Sequence, residues 1–415
     1  MTDLPEPDAA ARAHSERVVM TIRAAIDDAD GHLPFSRYMD LVLHAPGLGY
    51  YAAGARKLGA DGDFVTAPEM TPLFAAALAT QVDAILASGE RREIVELGGG
   101  SGRLAADLLN ALAARNALPS RYAILDVSAD LRERQRITLS RDARAHLDRV
   151  AWIDALPEAI DGALLANEVL DAIAVEIVAR RSGDYFQRGV TWDDARQALA
   201  WSERPADART RARAIARFPP DGDYLSEFNP AAEALVEEVG TRMNSGAALF
   251  IDYGFPAAEY YHPQRSEGTL MCHYRHRAHA DPFAWPGLTD ITAHVDFTAM
   301  AEAGERAGLA VAGFTAQAPF LMGCGILDAL AGVGSPESMS YIRAAASVQK
   351  LLAPSEMGAL RSDCLRLRTA PMKFAQWFPI SSGFEEPGPG VCSRPSQLEY
   401  LWESSSHIER YPLEP

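Results

Sequence analysis

The sequence predicts an α/β protein in which helices cover both faces of a mostly parallel, doubly wound sheet. From residue 93 onward, short apolar segments alternate with amphipathic helical patterns, which is typical of strands joined by crossover helices. A glycine-rich turn separates the first of these strands from its helix. The 415 residues are 48% hydrophobic and 23% charged, which is the profile of a globular chain. Together these observations favour a single sheet core with additional segments around it.

The first part of the chain predicts helices rather than strands, and we assign residues 1–90 to an N-terminal helical segment. Apolar residues recur at helical spacing over residues 10–29. A second short helix is predicted over residues 36–44, before a Pro-Gly turn. A third is predicted over residues 72–86, with Pro72 at its start, where a missing N–H costs nothing.

Residues 91–358 predict the sheet core. Strands are predicted over residues 93–97, 122–127, 150–153, 163–166, 247–251 and 309–314, and helices over residues 103–112, 129–139, 231–243 and 297–307. Residues from about 180 to 225 break this alternation with turn signals, two tryptophans and an arginine-rich stretch, so we interpret them as an inserted subdomain. Residues 359–415 are rich in Pro and Ser and lack periodicity, which predicts an irregular tail.

Charge and cysteine usage restrict the partners and the compartment. The formal net charge of −17 is a poor match for the phosphate backbone of nucleic acids, so a protein or small-molecule substrate is favoured. The four cysteines form no Cys-x-x-Cys pair, which indicates a reducing compartment. No targeting segment and no apolar run of about 18 residues is apparent, so we expect a cytoplasmic protein without membrane insertion. The oligomeric state stays open.

The turn from Glu96 to Gly102 is the first candidate for a binding site. Glycines let a backbone turn sharply and approach a ligand, and ligands of open α/β sheets bind at the carboxyl ends of the strands. A dinucleotide fingerprint needs a small residue at position 103, where this chain has Arg103. The acid-x-G-x-G-x-G pattern for S-adenosylmethionine instead fits Glu96, Gly98, Gly100 and Gly102. We therefore predict that this turn binds S-adenosylmethionine and its product S-adenosylhomocysteine, with a turn that binds nothing as the alternative.

Asp126 ends the second predicted strand. An acidic residue at this strand tip can accept hydrogen bonds from the ribose hydroxyls of an adenosyl cofactor. The alternative is that Asp126 caps the helix that follows, as Asp residues often do. We predict the ribose role.

A polar cluster of Asn167, Glu168 and Asp171 follows the fourth predicted strand. Methyl transfer is an in-line displacement, so the protein must align the reactants and, where needed, accept a proton. A carboxylate here can hold the planar guanidinium group of arginine. Glu168 is the preferred substrate-orienting residue, and helix capping by Asn167 or Asp171 is the alternative.

A histidine-rich stretch supplies further candidates. Cys272 and three histidines lie within eight residues, yet no companion ligand motif accompanies them, so we expect no metal site. His294 is a candidate general base. Asp296, two residues later, is interpreted as the cap of the helix that begins at Phe297.

Several segments together resemble the MidA-like family of S-adenosylmethionine-dependent methyltransferases. The matching segments are residues 62–69, 96–104, 128–135, 166–172, 251–254, 274–282 and 290–297. The resemblance covers roughly residues 35–358 and implies a class I methyltransferase Rossmann-like core with an N-terminal helical cap. It also implies that Thr66, Pro68 and Glu69 line the cofactor or substrate cleft. After residue 358 the chain turns polar, where the family continues with an apolar, strand-like ending.

The resemblance also implies a function. Mitochondrial members of the family are complex I assembly factors that methylate an arginine of a complex I subunit symmetrically on its terminal nitrogens. By resemblance we expect a protein arginine methyltransferase with a protein partner, such as a complex I subunit. The alternatives are a methyltransferase for small molecules and an assembly factor that keeps the fold without catalysis. A nicotinamide-dependent oxidoreductase is a further alternative, against which Arg103 argues.

Overall fold

Among the residues that the computed structural model describes (4–53, 66–87, 89–353 and 362–368), eight strands form the central sheet. They are β1 Glu93–Leu97, β2 Arg121–Leu125, β3 Val150–Ile153, β4 Ile160–Asn167, β5 Met243–Phe255, β6 Val295–Asp296, β7 Ala310–Gly313 and β8 Ser362–Arg368. Their spatial order is β3-β2-β1-β4-β5-β8-β7, and β6 extends the sheet beside the end of β5. Strand β8 is antiparallel to both of its neighbours, whereas β1 to β5 are parallel.

The strand order reverses between β1 and β4. The chain leaves β1 for β2 and β3 on one side and then returns to β4 and β5 on the other. Leu97 at the end of β1 pairs with Leu125 of β2 and with Ala166 of β4, so the carboxyl ends of these strands are level. Ligands of open α/β sheets bind in the crevice at such a reversal.

Alternate residues of β1 enter two different hydrophobic clusters. Ile94 packs with Leu78 and Leu108 on one face of the sheet, and Val95 packs with Val236 on the other. This two-sided burial explains the continuous apolar character of the central strands. The described helices are Ala9–Asp28, Phe35–His44, Ala67–Met70, Pro72–Ala87, Arg103–Ala114, Ala129–Asp142, Ala208–Arg217, Pro230–Arg242, Ala257–Tyr260, Phe297–Arg306, Gln317–Gly323, Ile326–Ala331 and Met339–Leu352, with a 3-10 helix at Arg144–Arg149.

The segment interpreted as an insertion contributes most of the strands of a second, antiparallel sheet, and the N-terminal region adds one short strand. Its strands are Leu33–Pro34, Glu176–Arg181, Asp184–Asp193, Ala198–Pro205 and Tyr224–Phe228. Phe35 of the N-terminal region shares a core with Ile177 and Val190 of this sheet. The N-terminal helices and the second sheet are therefore held together by common apolar burial. A small third sheet contains Met271–Tyr274, Arg277–His279 and Asp290–Thr292.

The predicted strands and helices of the core are confirmed within a few residues at each end. The prediction of an irregular tail is wrong for Ser362–Arg368, which forms β8. This strand lies between β5 and β7, where Leu365 pairs with Phe250 and Leu367 with Val311. The backbone N–H and C=O groups of β5 and β7 need hydrogen-bond partners, which a strand between them provides. This pairing favours a strand at Ser362–Arg368 despite its polar sequence. The remaining residues of 359–415 lie outside the described part of the chain.

Within the described ranges, none of the helices has the combination of length and hydropathy required to cross a bilayer.

Candidate active site

A cavity of about 770 Å³ opens at the carboxyl ends of β1, β2 and β4. One wall is the glycine-rich turn, and a second is the tip of β2 with Asp126 and Val127. The tip of β4 supplies Asn167 and Glu168, and the N-terminal region covers the remaining side. The cavity therefore lies at the reversal of strand order.

The cavity brings together nine of the twelve residues that the sequence singled out. These are Thr66, Pro68, Glu69, Glu96, Gly98, Gly100, Asp126, Asn167 and Glu168. The other three, Gly102, Asp171 and His294, do not line it. Gly102 begins the helix Arg103–Ala114, and Asp171 is buried behind the loop that follows β4.

The glycine-rich turn requires glycine for reasons of backbone and packing. Gly98, Gly100 and Gly102 have positive φ angles of 62°, 51° and 81°. Residues that carry a Cβ atom adopt such angles only at a cost in free energy. A Cβ atom on Gly98 would lie 2.9 Å from Cγ2 of Val169. The turn therefore lies directly against the residue that follows Glu168, and the two halves of the cavity are in contact.

Glu96 at the end of β1 is buried beneath the turn, with its side chain at the cavity wall. The hydroxyl of Tyr122 donates a hydrogen bond of 2.8 Å to its Oε2 atom. Burial raises the pKa of Glu96 to about 7, although the bond from Tyr122 opposes the shift and nearby Asp126 adds to it. Glu96 thus has both a structural partner and access to the cavity.

Asp126 lies at the tip of β2, and each of its two carboxylate oxygens accepts one hydrogen bond from the protein. Oδ1 accepts a hydrogen bond of 2.9 Å from the backbone N–H of Ser128, and Oδ2 accepts one of 2.7 Å from Nε2 of Gln135. The following helix is capped by Ser128 itself, whose hydroxyl accepts from Leu131. The helix-cap alternative for Asp126 is therefore wrong, and its remaining lone pairs are available at the cavity.

Gln135 is a residue of the site that the sequence did not identify as functional. Its side chain is fully buried, and Leu139 is the only other buried residue of the helix Ala129–Asp142. In the sequence, Gln135 is one polar residue among many on this helix. Only its burial in the structure indicates that its amide has a specific role.

Asn167 and Glu168 form the polar end of β4. Glu168 has a φ angle of 52°, and its Oε1 accepts hydrogen bonds from the backbone N–H of Ala67 at 3.3 Å and from Nδ2 of Asn167 at 3.2 Å. Oδ1 of Asn167 is buried and has no hydrogen-bond partner among the described residues. Burial raises the pKa of Glu168 to about 8, with a contribution from the charge of Asp252. The pair presents acceptor atoms beside the glycine-rich turn.

Asp252 on β5 holds the loop that carries Glu168. Its Oδ2 accepts hydrogen bonds from the backbone N–H groups of Val169, Leu170 and Asp171 at 3.0, 2.7 and 3.3 Å. No described helix begins between β4 and residue 176, so the capping alternative for Asn167 and Asp171 is wrong. Burial raises the pKa of Asp252 to about 6, while these backbone donors lower it.

Asp171 lies behind this loop and affects the site through its interaction with Glu168 and Asp252 rather than through exposed surface. Burial, followed by the charges of Asp252 and Glu168, raises its pKa well above the ordinary value. The three carboxyl groups therefore form a buried cluster in which each disfavours ionisation of the others.

His294 lies outside the cavity. Its backbone N–H donates to Oγ1 of Thr269 at 3.1 Å, and its ring meets Phe255 edge to face with centroids 5.0 Å apart. Burial lowers the pKa of His294 to about 4, and the charge of Arg265 adds to this effect. His294 is not among the described residues that line the cavity, and its role as a general base stays a prediction.

The histidine-rich stretch forms a hairpin, in which Cys272 pairs with His279. The part of the chain that the structure describes holds no group of three or more His, Cys, Asp or Glu side chains arranged for a metal ion. The cap role of Asp296 is confirmed, since its Oδ1 accepts from the N–H of Ala299 at 3.1 Å.

The residues of the cavity fit an adenosyl sulfonium cofactor. Asp126 offers acceptor lone pairs for ribose hydroxyls, and Val127, which is 81% exposed, and Leu156 are apolar lining residues suited to a base. Acidic residues outnumber basic ones along the wall, so the lining offers more hydrogen-bond acceptors and negative charge than positive charge to a sulfonium. The acidic lining residues are Asp40, Glu69, Glu96, Asp126 and Glu168, and the basic ones, apart from His44, are Arg37 and Arg103.

Comparisons with known proteins agree with this fit. A family model described as "Putative S-adenosyl-L-methionine-dependent methyltransferase" matches residues 73–315. The crystal structure of a Burkholderia thailandensis protein bound to S-adenosyl-homocysteine is 48% identical and has a TM-score of 0.85. The match covers 88% of this chain and 95% of that protein.

More distant relatives have curated names. Protein arginine methyltransferase NDUFAF7 of Mus musculus is 30% identical over 297 residues, which cover 65% of this chain and 65% of the mouse protein. The Caenorhabditis elegans homologue is 26% identical over 299 residues, with coverage of 64% and 67%. The matches thus span about two thirds of the length of these relatives. Since the family model spans more than half of the chain and the bacterial structure matches nearly all of its own length, this chain belongs to the family of S-adenosylmethionine-dependent methyltransferases.

Proposed function

We propose that this chain methylates an arginine side chain of a protein partner. The observation that supports the proposal best is the placement of Glu168 and Asn167 beside the glycine-rich turn, within one cavity. When bound, S-adenosylmethionine supplies an electrophilic methyl group. The acceptor must therefore reach the space between this turn and the end of β4.

The acceptor atoms of Glu168 and Asn167 suit a guanidinium group. Such a group carries five N–H donors in a planar fork and needs several acceptors close together. The carboxylate of Glu168 and Oδ1 of Asn167, which has no hydrogen-bond partner in the described part of the chain, supply acceptors at neighbouring positions. These two residues would align one terminal nitrogen with the methyl group, which is the main requirement of an in-line displacement.

Methylation of a guanidinium nitrogen forms a C–N bond, breaks the C–S bond of the cofactor and releases one proton. Burial raises the pKa of Glu168 to about 8, so its carboxylate is a stronger base than an exposed glutamate and can take up that proton. Asp252 fixes the loop through its three backbone hydrogen bonds and thereby keeps the carboxylate in place.

The names of the curated relatives support arginine as the acceptor, since they are protein arginine methyltransferases. A small-molecule acceptor and a fold kept for assembly without catalysis are the competing functions. The family resemblance implies that the protein partner is similar to a complex I subunit, and this partner is part of the proposal.

Transfer of a radiolabelled methyl group from S-adenosylmethionine, tested separately on a protein extract and a metabolite extract, distinguishes these functions. We expect label in protein. Glu168→Gln should reduce the initial rate by a factor on the order of 100 or more, as loss of a proton acceptor does, with S-adenosylhomocysteine affinity retained.

Glu305→Gln is the matched control, because Glu305 is exposed on the helix Phe297–Arg306 and does not line the cavity. It should transfer methyl groups at the wild-type rate. Label confined to metabolites would favour a small-molecule enzyme. Full activity of Glu168→Gln would remove Glu168 from the mechanism, and absence of any transfer alongside cofactor binding would favour the assembly factor.

A further inference from the structure

Gln135 joins three segments at the wall of the cavity that contains the glycine-rich turn and Asp126. Its Nε2 donates hydrogen bonds to Oδ2 of Asp126 at 2.7 Å and to the carbonyl oxygen of Gly100 at 3.1 Å. Its Oε1 accepts a hydrogen bond of 2.9 Å from Nε1 of Trp152 on β3. One buried side chain thus links the tip of β2, the glycine-rich turn and the neighbouring strand.

These partners leave the Gln135 amide a single orientation. Nε2 faces two acceptors and Oε1 faces an indole N–H, which can only donate. A rotation of the amide by half a turn would place an oxygen against the two acceptors and an NH2 group against a donor. The side chain is completely buried, so no exposed surface is available to compensate for such a mismatch.

The helix that carries Gln135 also lies in close contact with the glycine-rich turn. A Cβ atom on Gly102 would lie 2.8 Å from Cα of Gln135, and one on Gly99 would lie 3.1 Å from its Nε2. The amide can therefore reach the Gly100 carbonyl only because its neighbours in the turn lack side chains. The glycines and Gln135 form one packed unit.

The carboxylate of Asp126 depends on this unit for its orientation. Ser128 N–H holds one oxygen and Gln135 holds the other. Each oxygen keeps one further lone pair for a ligand at the cavity. Removal of the Gln135 amide would free the carboxylate to rotate and would leave a buried oxygen without a partner.

We propose that Gln135 is a positioning residue for the cofactor, which sets the Asp126 carboxylate and the Gly100 carbonyl in the arrangement that receives the ribose of S-adenosylmethionine. This inference rests on the proposed function only in that both place the cofactor in this cavity. Gln135 acts through Asp126 and the turn and does not line the cavity itself. Its effect should therefore be specific to ligands that carry ribose hydroxyls.

Calorimetric titration with S-adenosylhomocysteine, and with an analogue that lacks both ribose hydroxyls, tests the proposal. Gln135→Met keeps the length of the side chain and removes all three hydrogen bonds. We expect it to weaken S-adenosylhomocysteine binding about tenfold, the size of a lost hydrogen bond to a charged group. The affinity for the analogue should change much less, because that ligand makes no ribose hydrogen bonds to lose.

Gln317→Met is the matched control. Gln317 is also a buried helical glutamine, and it donates to the carbonyl of Leu351 at 3.3 Å away from the cavity. Its substitution should leave both affinities unchanged. Equal loss for the two ligands in Gln135→Met would reveal a purely structural role, and an unchanged affinity for S-adenosylhomocysteine would overturn the proposal as well.

A second variant covers the case in which Gln135→Met does not fold. Trp152→Phe keeps an aromatic ring at this position but removes the hydrogen bond to Oε1, which leaves that buried oxygen without its donor and the amide held only through Nε2. It should weaken S-adenosylhomocysteine binding about threefold, with little effect on the analogue. If both affinities stay at wild-type values, the proposal is wrong. Absence of binding by the wild-type protein would instead refute the cofactor assignment of the cavity.

Discussion

Glu168 connects backbone strain, burial and charge at a single residue. Its φ angle is 52°, and its N–H donates to the carbonyl of Ile251 on the neighbouring strand β5 at 2.8 Å. A residue keeps an unfavourable backbone conformation only where the surrounding structure holds it in place, and such residues concentrate at functional sites. The three backbone hydrogen bonds to Asp252 supply such surroundings.

The pKa of Glu168 predicts the pH dependence of methyl transfer. Burial raises this pKa to about 8, and the group accepts a proton only when it is ionised. The initial rate at saturating cofactor should therefore rise about tenfold per pH unit below 8 and level off above it. Rates measured from pH 6 to 9.5 check this, and a profile that is flat across this range would contradict the role of Glu168.

At the scale of elements, the glycine-rich turn and the loop after β4 form one contact. Gly98 combines a positive φ angle with a Cβ position 2.9 Å from Val169. The sequence pattern identified this turn correctly, because glycine spacing after an apolar strand is a local signal. It could not reveal the contact with Val169, which depends on the pairing of β1 with β4.

Gly98→Ala should reduce both stability and cofactor affinity. The left-handed conformation alone costs about 1–2 kcal/mol for a residue with a side chain, and the contact with Val169 adds to this cost. Thermal unfolding and titration with S-adenosylhomocysteine measure the two effects.

Gly31→Ala provides the comparison for strain alone. Gly31 has a φ angle of 78°, and no atom lies within 4 Å of its Cβ position. This variant should lose a similar strain energy and bind the cofactor normally. Equal behaviour of the two variants would contradict the account of the turn.

Other parts of the site show where sequence reasoning ends. Asp126 and Glu168 follow recognisable strands, so strand order alone places them at one edge of the sheet. Gln135 and Asp252 act through hydrogen bonds to distant segments, and neither spacing nor residue type predicts those partners. His294 is a comparable case, because its sequence context did not indicate that it lies beside Phe255 and outside the cavity.

At the scale of the whole molecule, β8 completes the central sheet. The strand pairs with β5 over seven residues, from Ser362 opposite Tyr253 to Arg368 opposite Ala247. Local composition predicted an irregular segment, because the strand is polar and the gap that it fills exists only in the assembled sheet. Strand β5 also carries Asp252, which holds the loop of Glu168. By pairing with β5, strand β8 therefore supports that loop indirectly.

Leu365→Pro tests this support. Proline cannot donate a backbone hydrogen bond and is excluded from central strands, and one unsatisfied buried backbone group costs about 1–3 kcal/mol. The denaturation midpoint should fall and methyl transfer should fall with it. A variant with wild-type stability would show that β8 does not contribute to the sheet in solution.

We propose that the cavity transfers a methyl group from S-adenosylmethionine to arginine. Amino-acid analysis of protein labelled by this enzyme, after complete hydrolysis, tests it most directly. We expect the label to elute as methylated arginine, and Glu168→Gln to reduce this peak by a factor on the order of 100 or more at equal reaction times. Recovery of the label in another amino acid, or as methanol released by mild base from a carboxyl ester, would contradict it.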